Sequence, residues 1–543
     1  MNQKDNKTTA ENVGGEAAAK RGWLDRTFKL KENGTTVRIE VFAGITTFMT
    51  MVYILMVNAG MFSNPFGDGT NVLGVSYGAI YIATALSAII GTVLIGLLSN
   101  MPLAQASGMG LNAFFVYAIC IGLGLSYANT LVLVLIDGIV FVILTVTGLR
   151  KKIFEAIPKA VRVAIPAGIG LFIAFIGLQN AGIVVLNTST LVSLVSLNVF
   201  SGTATWTSIM PILVTFITFI GIAVLSKLKV RGSILWGIVI GAGLYYLLGL
   251  TVNGFYTAEN YTIAYTLNET THQFDSVITG NMNYFLGYAQ SSSTFVKGCT
   301  SYVENYAPLS LSFNPFTAFG EWGREAVGKV FTEGFDFSAY AQAHGTGNLI
   351  LVIITTSLAF CMVDMFDTIG TLYGACARGN MLDKDGNVPN MDKAMLADAI
   401  ATCTGAIAGT STVTTYVESS AGIAEGGRTG LTSIVVSIGF LIAMFLSPIA
   451  QLIPNVATAA ALIYVGVLMM NGVKEIEWTD PAVAVPAFLT LAMMPFTYNI
   501  SYGIALGIIA HVLIKLFTGR IKEINWLSVV IGLLFTATFL LTH

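Results

Sequence analysis

Six ionisable side chains lie inside stretches of the chain that are otherwise apolar. They are Asp137, Asp364, Asp367, Asp398, Glu418 and His511. A charge at membrane depth is costly to bury, so each is a candidate for substrate binding or proton transfer. We interpret the single acids Asp137 and Asp398 as polar contacts between helices. His511 lies near the C-terminal end of its apolar run, which favours interfacial packing.

Asp364 and Asp367 are separated by three positions in the segment Phe360–Thr371. This spacing puts both carboxyl groups on one helix face, which would be unfavourable against lipid. We therefore expect the pair to face a cavity or a partner, with at least one aspartate touching a ligand or a coupling ion. An intramembrane aspartyl enzyme is a remote alternative. Such an enzyme needs two carboxyl groups that share a proton, and these usually come from two elements that converge. Asp364 and Asp367 instead lie on a single helix.

The segment Gly409–Gly422 is short, small and rich in hydroxyl groups. The pattern predicts an extended stretch followed by a half-helix that starts near Tyr416, with Glu418 in its first turn. Interrupted helices of this kind expose backbone N–H groups to substrate in transporters. The alternative is a tight helix interface built from small residues. In the loop that follows, we expect Glu425 and Arg428 to form an ion pair at a membrane edge.

The segment Leu103–Phe115 has a similar character in the first half of the chain. It is glycine-rich, and Asn112 lies in its middle. It is the third apolar run, just as the Glu418 segment is the third after a long polar gap. Matching discontinuities in two halves indicate a transporter binding site. The Asn112 amide can donate and accept, which suits a heteroaromatic edge, although an ordinary interhelical hydrogen bond is the alternative.

The elements that must position these residues are membrane helices. The 543 residues are 55% hydrophobic and 10% charged, with a mean hydropathy of +0.75, whereas soluble domains carry about 25% charged residues. Seven apolar runs precede the polar gap 253–347, and seven or eight follow it. They lie near 41–63, 78–99, 103–124, 129–149, 163–184, 207–226 and 232–252, then near 348–376, 394–409, 411–424, 431–453, 456–471, 481–497, 501–518 and 525–542. After residue 480, either 481–518 is a broken hairpin or 525–542 is an extra span.

The basic residues indicate the orientation of the chain. Lys and Arg cluster in the first 40 residues and after the fourth and sixth runs, and are missing after the first, third and fifth. The positive-inside rule then places the N-terminus in the cytoplasm and the 253–347 insert outside, as a folded cap. The start of the sequence lacks the apolar core of a cleavable signal peptide. We expect a multi-pass protein of the plasma membrane, or of the inner membrane in a bacterial cell.

Other function classes are disfavoured by composition and motifs. The formal net charge of −2 gives no basic excess for nucleic acid, and the five cysteines and four histidines show no metal spacing. We therefore predict no cofactor and no metal. The chain has no GxxxxGK[ST] loop for ATP, which leaves secondary transport.

Four segments together resemble the adenine/guanine/hypoxanthine permeases (AzgA-like) of the nucleobase/ascorbate transporter superfamily. They are Phe42–Asn58, Gly108–Phe115, Val363–Thr371 and Gly409–Arg428. The resemblance implies an all-α polytopic membrane protein of about 14 spans, arranged as two inverted seven-span repeats with discontinuous spans 3 and 10. It implies a core domain that carries substrate and a gate domain that mediates dimers in relatives. The implied boundaries are 1–40 (cytoplasmic segment), 41–149 and 348–453 (core), 150–252 and 454–543 (gate), and 253–347 (extracellular insert).

The resemblance also implies a function. It points to a proton-coupled importer of purine nucleobases that works by elevator-like movement of the core against the gate. By position, Asn112, Asp364, Asp367 and Glu418 match the family's polar binding and coupling residues, and Tyr416 matches a wall of the site. Asp364, Asp367 and Glu418 are the candidates for proton coupling.

Three departures from the family pattern affect the substrate prediction. Ser107 stands where the family usually has proline, Ser420 stands where alanine is usual, and the 253–347 insert is longer than expected. A transporter of uracil, xanthine or another small anion is therefore the alternative within the class.

Overall fold

The computed structural model describes residues 23–542 except 67–69, 150–156, 188, 198–205, 256–261, 269–272, 280–313 and 385–387. The first part of the N-terminal segment and nearly half of the insert therefore lie outside the described residues. Helices dominate the first half. They are Trp23–Phe28, Val37–Met51, Tyr53–Ser63, Tyr77–Ser99, Met109–Ala113, Tyr127–Val146, Lys159–Asn180, Trp206–Lys227 and Ser233–Phe255, with a π-helix at Phe114–Gly122.

The second half is also helical. Its helices are Phe316–Glu325, Lys329–Thr332, Ser338–His344, Thr346–Arg378, Met391–Ala408, Ser419–Ala424, Gly430–Met444, Ser447–Ala450, Asn455–Met469, Pro481–Phe496, Ile500–Phe517 and Trp526–Thr542, with 3-10 helices at Met470–Glu475 and Ile521–Glu523. The strands form three two-stranded antiparallel sheets. They are Gln105–Ser107 with Val413–Thr415, Val184–Asn187 with Leu191–Leu194, and Thr262–Asn268 with Gln273–Thr279.

Helix length and composition support a multi-pass membrane protein, as predicted. Within the described ranges, eight helices are long and apolar enough to cross a bilayer, and five shorter apolar helices accompany them. Several carry large apolar side chains on their outer faces, such as Phe216 and Ile442, which suits contact with lipid. The number of fourteen spans stays a prediction.

The long helices pack in two groups. In the first group, Tyr77–Ser99 packs against Met391–Ala408 and Gly430–Met444. In the second group, Lys159–Asn180 packs against Asn455–Met469 and Pro481–Phe496. Each group therefore combines helices from both halves of the sequence.

Glycines allow the close packing of the second group. A Cβ at Gly170 would lie 2.8 Å from the Gly466 carbonyl oxygen, and a Cβ at Gly177 would lie 2.9 Å from that of Ala459. Small residues at such contacts let helix backbones approach, which is how membrane helices gain packing energy.

The C-terminal region contains both of the features that the sequence left as alternatives. Pro481–Phe496 and Ile500–Phe517 form a tightly packed hairpin, and the helix Trp526–Thr542 follows it. Tyr498 in the hairpin turn has a positive φ of 57°, and its ring packs edge-on against Phe172 and Tyr117.

The last part of the insert folds as three short helices against the first packing group. The Trp322 indole donates to the Ala408 carbonyl at 2.8 Å, and the Gly328 N–H donates to that of Ile407 at 2.9 Å. Gly409, with φ +95°, ends the helix Met391–Ala408 beneath these contacts, where a Cβ would lie 2.7 Å from the Ala326 oxygen. This part of the insert is therefore folded against the membrane helices, and its extracellular location stays a prediction.

Candidate functional site

Two broken segments meet inside the first packing group. We name residues 105–122 the first broken segment and residues 413–424 the second broken segment. Their strands pair antiparallel, with Gln105 opposite Thr415 and Ser107 opposite Val413. The pairing is extended by bonds from the Tyr416 N–H to the Ala104 oxygen and from the Gly108 N–H to the Thr412 oxygen, both 3.0 Å. Backbone groups that leave a helix within a membrane need such partners, and here each broken segment supplies them to the other.

A short helix follows each strand. In the first broken segment, Met109–Ala113 begins after Gly108 and continues as the π-helix Phe114–Gly122. In the second, the helix is Ser419–Ala424, and Glu418 is its N-cap residue. The extended stretch and half-helix predicted from the sequence are therefore present. The predicted start near Tyr416 was wrong by three positions, because the Tyr416 backbone still belongs to the strand pairing.

Glu418 is half-buried at the end of the second strand. The Tyr53 hydroxyl donates a hydrogen bond of 2.8 Å to Glu418 Oε1, and Tyr53 itself is fully buried. Tyr53 comes directly after an interruption at Val52 between two helices of the first span. Sequence reasoning did not single out Tyr53, although it lies within the family-like segment Phe42–Asn58.

Asp364 and Asp367 occupy one helix, Thr346–Arg378, but differ in surroundings. Asp367 is half-buried, and its Oδ2 accepts a hydrogen bond of 3.1 Å from the Thr414 hydroxyl on the second strand. Thr414 lies four positions before Glu418, and both belong to the second broken segment. Asp364 is fully buried one turn earlier. The fold therefore brings Asp367 to the second broken segment, which also carries Glu418.

Asn112 and Tyr416 connect the two broken segments. The Ser411 hydroxyl donates to Asn112 Oδ1, and Asn112 Nδ2 donates to the Ser107 oxygen at 3.4 Å. The Tyr416 hydroxyl donates to the same Ser107 oxygen at 2.5 Å. Both side chains are buried. Both partners of Asn112 lie outside helices, so these bonds are not the interhelical hydrogen bond that the sequence left open. A direct role for Asn112 or Tyr416 in ligand binding stays a prediction.

Asp398 lies beneath the paired strands. It is fully buried and accepts hydrogen bonds from Gln105 Nε2 at 2.9 Å, the Thr368 hydroxyl at 2.7 Å and the Thr415 hydroxyl at 3.2 Å. These bonds join both strands to the helix that carries Asp367, so Asp398 is a polar contact between helices, as predicted. Asp137 is fully buried on Tyr127–Val146.

The predicted ion pair between Glu425 and Arg428 is wrong. Glu425 instead pairs with Arg231 through two contacts, Nε to Oε1 at 2.9 Å and Nη2 to Oε2 at 2.7 Å. Arg428 donates to the carbonyl oxygens of Ile423 and Gly427, at 2.8 and 2.7 Å. Those carbonyls lie at the end of a short helix, where the backbone needs donors, and this explains why Arg428 turns inward.

Glu40 is a buried acid that sequence reasoning missed. It accepts hydrogen bonds from the backbone N–H groups of Arg428, Thr429 and Thr432 and from the Thr432 hydroxyl, at 2.6–3.3 Å. An acid at a helix N-terminus satisfies otherwise unpaired N–H groups. Glu40 thereby ties the first span to the start of Gly430–Met444. Its position ahead of an apolar run gave no signal of this role.

Where the two broken segments meet, the side chains of the candidate site are mainly hydrogen-bond acceptors. Glu418 and Asp367 present carboxyl oxygens, and the sequence contains no Lys or Arg at 346–377 or 409–424. No group of three or more potential metal ligands occurs among the residues that the structure describes. The site therefore suits a small ligand with N–H donors, and a carboxyl group there can also carry a proton.

Comparison with known proteins identifies the family. The model of the Permease family (Xan_ur_permease) matches residues 38–279 and 330–506. The chain belongs to this family. Membership makes the protein a membrane transporter rather than an enzyme, so the alternative of an intramembrane enzyme is excluded.

Relatives match nearly the whole chain. A permease of Methanocaldococcus jannaschii is 37% identical over 95% of this chain and 98% of its own length. The adenine permease AdeP of Escherichia coli K12 is 35% identical, covering 95% of each chain. The guanine/hypoxanthine permease PbuO of Bacillus subtilis 168 is 35% identical over 94% of this chain and 98% of its own. These relatives confirm the resemblance to adenine/guanine/hypoxanthine permeases.

Proposed function

We propose that this permease is a secondary active transporter that imports purine nucleobases, with adenine, guanine and hypoxanthine as the candidate substrates. The observation that carries the proposal is the convergence of Glu418 and Asp367 where the two broken segments meet. Purines carry ring and exocyclic N–H groups, which these carboxyl oxygens can accept. The substrates after which relatives such as AdeP and PbuO are named support this substrate class.

Transport is proposed to be proton symport. The segments 346–377 and 409–424, which carry Asp364, Asp367 and Glu418, contain no Lys or Arg. Taking up a proton would remove one charge from the site and lower the cost of moving a neutral base across the apolar barrier. The same carboxyl groups would then bind both the purine and the proton, which couples the two.

The two packing groups support an elevator-like mechanism with inverted repeats. We assign 41–149 and 348–453 to a moving core, and 150–252 and 454–543 to a gate through which two copies associate. The Arg231–Glu425 pair connects the loop before Ser233–Phe255, in the gate, to the end of the second broken segment, in the core. A small polar contact of this kind can open when the core moves. We place the N-terminus in the cytoplasm and the protein in the plasma membrane, or in the inner membrane of a bacterial cell.

Uptake by the purified protein in proteoliposomes tests the proposal. Radiolabelled hypoxanthine should accumulate when the outside is acidic, and a dye inside should report acidification in step with uptake. Unlabelled adenine and guanine should compete. Competition by uracil or xanthine alone would favour the alternative substrates, and uptake that ignores the pH gradient would contradict symport.

A cross-link tests the elevator movement separately. Arg231→Cys and Glu425→Cys, introduced together in a background with the native cysteines replaced, should join through a short reducible reagent. Uptake should stop on cross-linking and return after reduction, with either single variant as the control. Full uptake by the cross-linked protein would contradict movement between the two groups.

A further inference from the structure

Tyr53 is the residue of the first span that contacts the candidate site. The helix of that span is interrupted, with Val37–Met51 ending just before Val52 and Tyr53–Ser63 beginning just after it. The Tyr53 hydroxyl lies 2.8 Å from Glu418 Oε1 and 3.9 Å from the Met109 sulfur. It therefore contacts both broken segments, although it belongs to neither.

Glu418 depends on this contact for its orientation. Among the residues that the structure describes, Tyr53 is the one whose side chain donates a hydrogen bond to Glu418. A phenol donates to a carboxylate and accepts from a protonated carboxyl, so the contact can persist in either protonation state. The hydrogen bond from Tyr53 therefore fixes the position of Oε1, and Oε2 accepts no hydrogen bond from a side chain of the described residues.

Packing fixes the distance between the two residues. The helix Ser419–Ala424 lies against Val37–Met51, and a Cβ at Gly422 would stand 2.5 Å from the Ala43 carbonyl oxygen. The two backbones approach so closely at Gly422 that no side chain fits between them, and a packed core resists sliding at such a contact. The hydroxyl and the carboxyl group are therefore held at hydrogen-bond distance by the fold.

We propose that Tyr53 is a positioning residue for transport. It holds Glu418 Oε1 so that the carboxyl group has a fixed orientation toward the purine, with Oε2 as the main acceptor. The purine part of this inference rests on the proposed function, whereas the control of Glu418 by Tyr53 does not. Tyr53 itself needs no contact with substrate.

Tyr53→Phe tests the proposal, with Tyr81→Phe as the matched control. Tyr81 is also a buried tyrosine of the first packing group, and its hydroxyl donates to the Ala443 carbonyl at 2.9 Å, away from Glu418. Tyr53→Phe removes the hydrogen bond from Tyr53 to Glu418, and this loss should raise the KM for purine uptake about 3- to 15-fold. Maximal velocity should fall less than the KM rises, and Tyr81→Phe should keep the wild-type KM within about twofold.

A measurement without purine separates this inference from the proposed function. The melting temperature of the detergent-solubilised protein is followed against pH for the wild type, Tyr53→Phe, Glu418→Gln and the double variant. Asp367 and Tyr416, the other titratable neighbours of Glu418, are present in all four. The midpoint should differ between wild type and Tyr53→Phe by about 0.5 to 1 pH unit. The pH dependence of Glu418→Gln and of the double variant should be the same, because position 418 no longer titrates in either.

Two outcomes would overturn the proposal. One is identical pH curves for wild type and Tyr53→Phe. The other is failure of Tyr53→Phe to accumulate while Tyr81→Phe accumulates normally, which would make Tyr53 a packing residue. Absence of purine uptake by the wild type would overturn the proposed function, and the pH comparison alone would then decide whether Tyr53 controls Glu418.

Discussion

The two broken segments share an architecture but not a chemistry. Each consists of a three-residue strand followed by a short helix, and the strands pair with one another. In the first, Asn112 is fully buried and bonded to Ser411 and Ser107. In the second, Glu418 is half-buried, with Tyr53 on one oxygen. From this comparison we predict that Asn112 acts mainly in holding the segments together and that Glu418 carries the transport chemistry.

The two broken segments also pack against different parts of the protein. The helix of the second broken segment lies against the first span, within one packing group, where Gly422 faces Ala43. In the first broken segment, Gly110 faces Ile169 on Lys159–Asn180, which belongs to the other packing group. The segment with the acid is thus fixed within its own group, and the segment with the amide forms the boundary. Four sets of variants test this division.

The largest difference between the two broken segments is expected when the carboxyl group of Glu418 is replaced by an amide and the amide of Asn112 by a carboxyl group. Glu418→Gln should lower purine binding by about 10- to 150-fold and abolish uptake, because it removes a charged acceptor, while the protein stays folded in the membrane. Asn112→Asp should instead lower stability by about 1–3 kcal/mol, because a carboxyl group cannot donate to the Ser107 oxygen when ionised. Isothermal calorimetry and thermal unfolding measure the two effects. Unchanged uptake by Glu418→Gln would remove Glu418 from the site.

Gly422→Ala should damage folding rather than transport chemistry. The added Cβ meets the Ala43 carbonyl, which cannot move aside as a side chain can, so the variant should lose about 1–3 kcal/mol or fail to accumulate. Gly221→Ala is the control, since nothing lies within 4 Å of its Cβ position. Membrane-fraction yield and melting temperature provide the readout. A stable Gly422→Ala protein would show that the second broken segment is not held firmly.

Gly110→Ala should impair transport while leaving the fold intact. Its Cβ meets the Ile169 side chain across the boundary, and overpacking there should lower uptake about 10-fold. Ile169→Ala in the same protein should make room and bring uptake back to within about 3-fold of wild type. Initial uptake rates measured at equal protein density decide the result. No rescue by the second substitution would place the defect elsewhere than at this contact.

Ser107→Pro should have the smallest effect. The bonds at Ala104 and Gly108 imply that alternate residues carry the ladder hydrogen bonds, so the Ser107 N–H is not needed for pairing with the second strand. The variant loses the 2.7 Å contact between the hydroxyls of Ser107 and Thr410. Uptake should therefore remain within about threefold of wild type, at a stability cost of about 1 kcal/mol. A complete loss of uptake would mean that the serine has a role beyond this contact.

Sequence patterns predicted the class of fold and the two discontinuities because each rests on local composition. Apolar runs indicate membrane helices, and short glycine- and hydroxyl-rich stretches indicate interruptions. The same patterns placed Asp367 and Glu418 in unusual segments, and the structure brings Asp367 to the segment that carries Glu418. The role of Asp398 was also predictable, since a single acid in an apolar run needs a polar partner.

What the sequence could not predict depends on distant contacts. Tyr53 meets Glu418 across 365 positions, and Arg231 meets Glu425 across 194. Arg428 was predicted as the partner of Glu425 because the two are close in the sequence. In the structure, Arg428 instead donates hydrogen bonds to nearby backbone carbonyls. In the sequence, Glu40 is an ordinary charged residue ahead of an apolar run. Its role becomes visible only when the structure packs the start of Gly430–Met444 against it. Each of these pairings is decided by tertiary packing.

The pairing of the two strands also constrains how the protein is made. Gln105 and Thr415 lie opposite one another but are separated by 310 positions, so the ribosome completes the first strand long before its partner. During that interval the backbone groups of the first strand lack their final partners, and lipid cannot supply them. The first broken segment therefore completes its pairing only after the second broken segment has been synthesised. A nascent chain cut anywhere before residue 413 is expected to be a substrate for membrane quality control, and the two halves should rescue each other only when produced together.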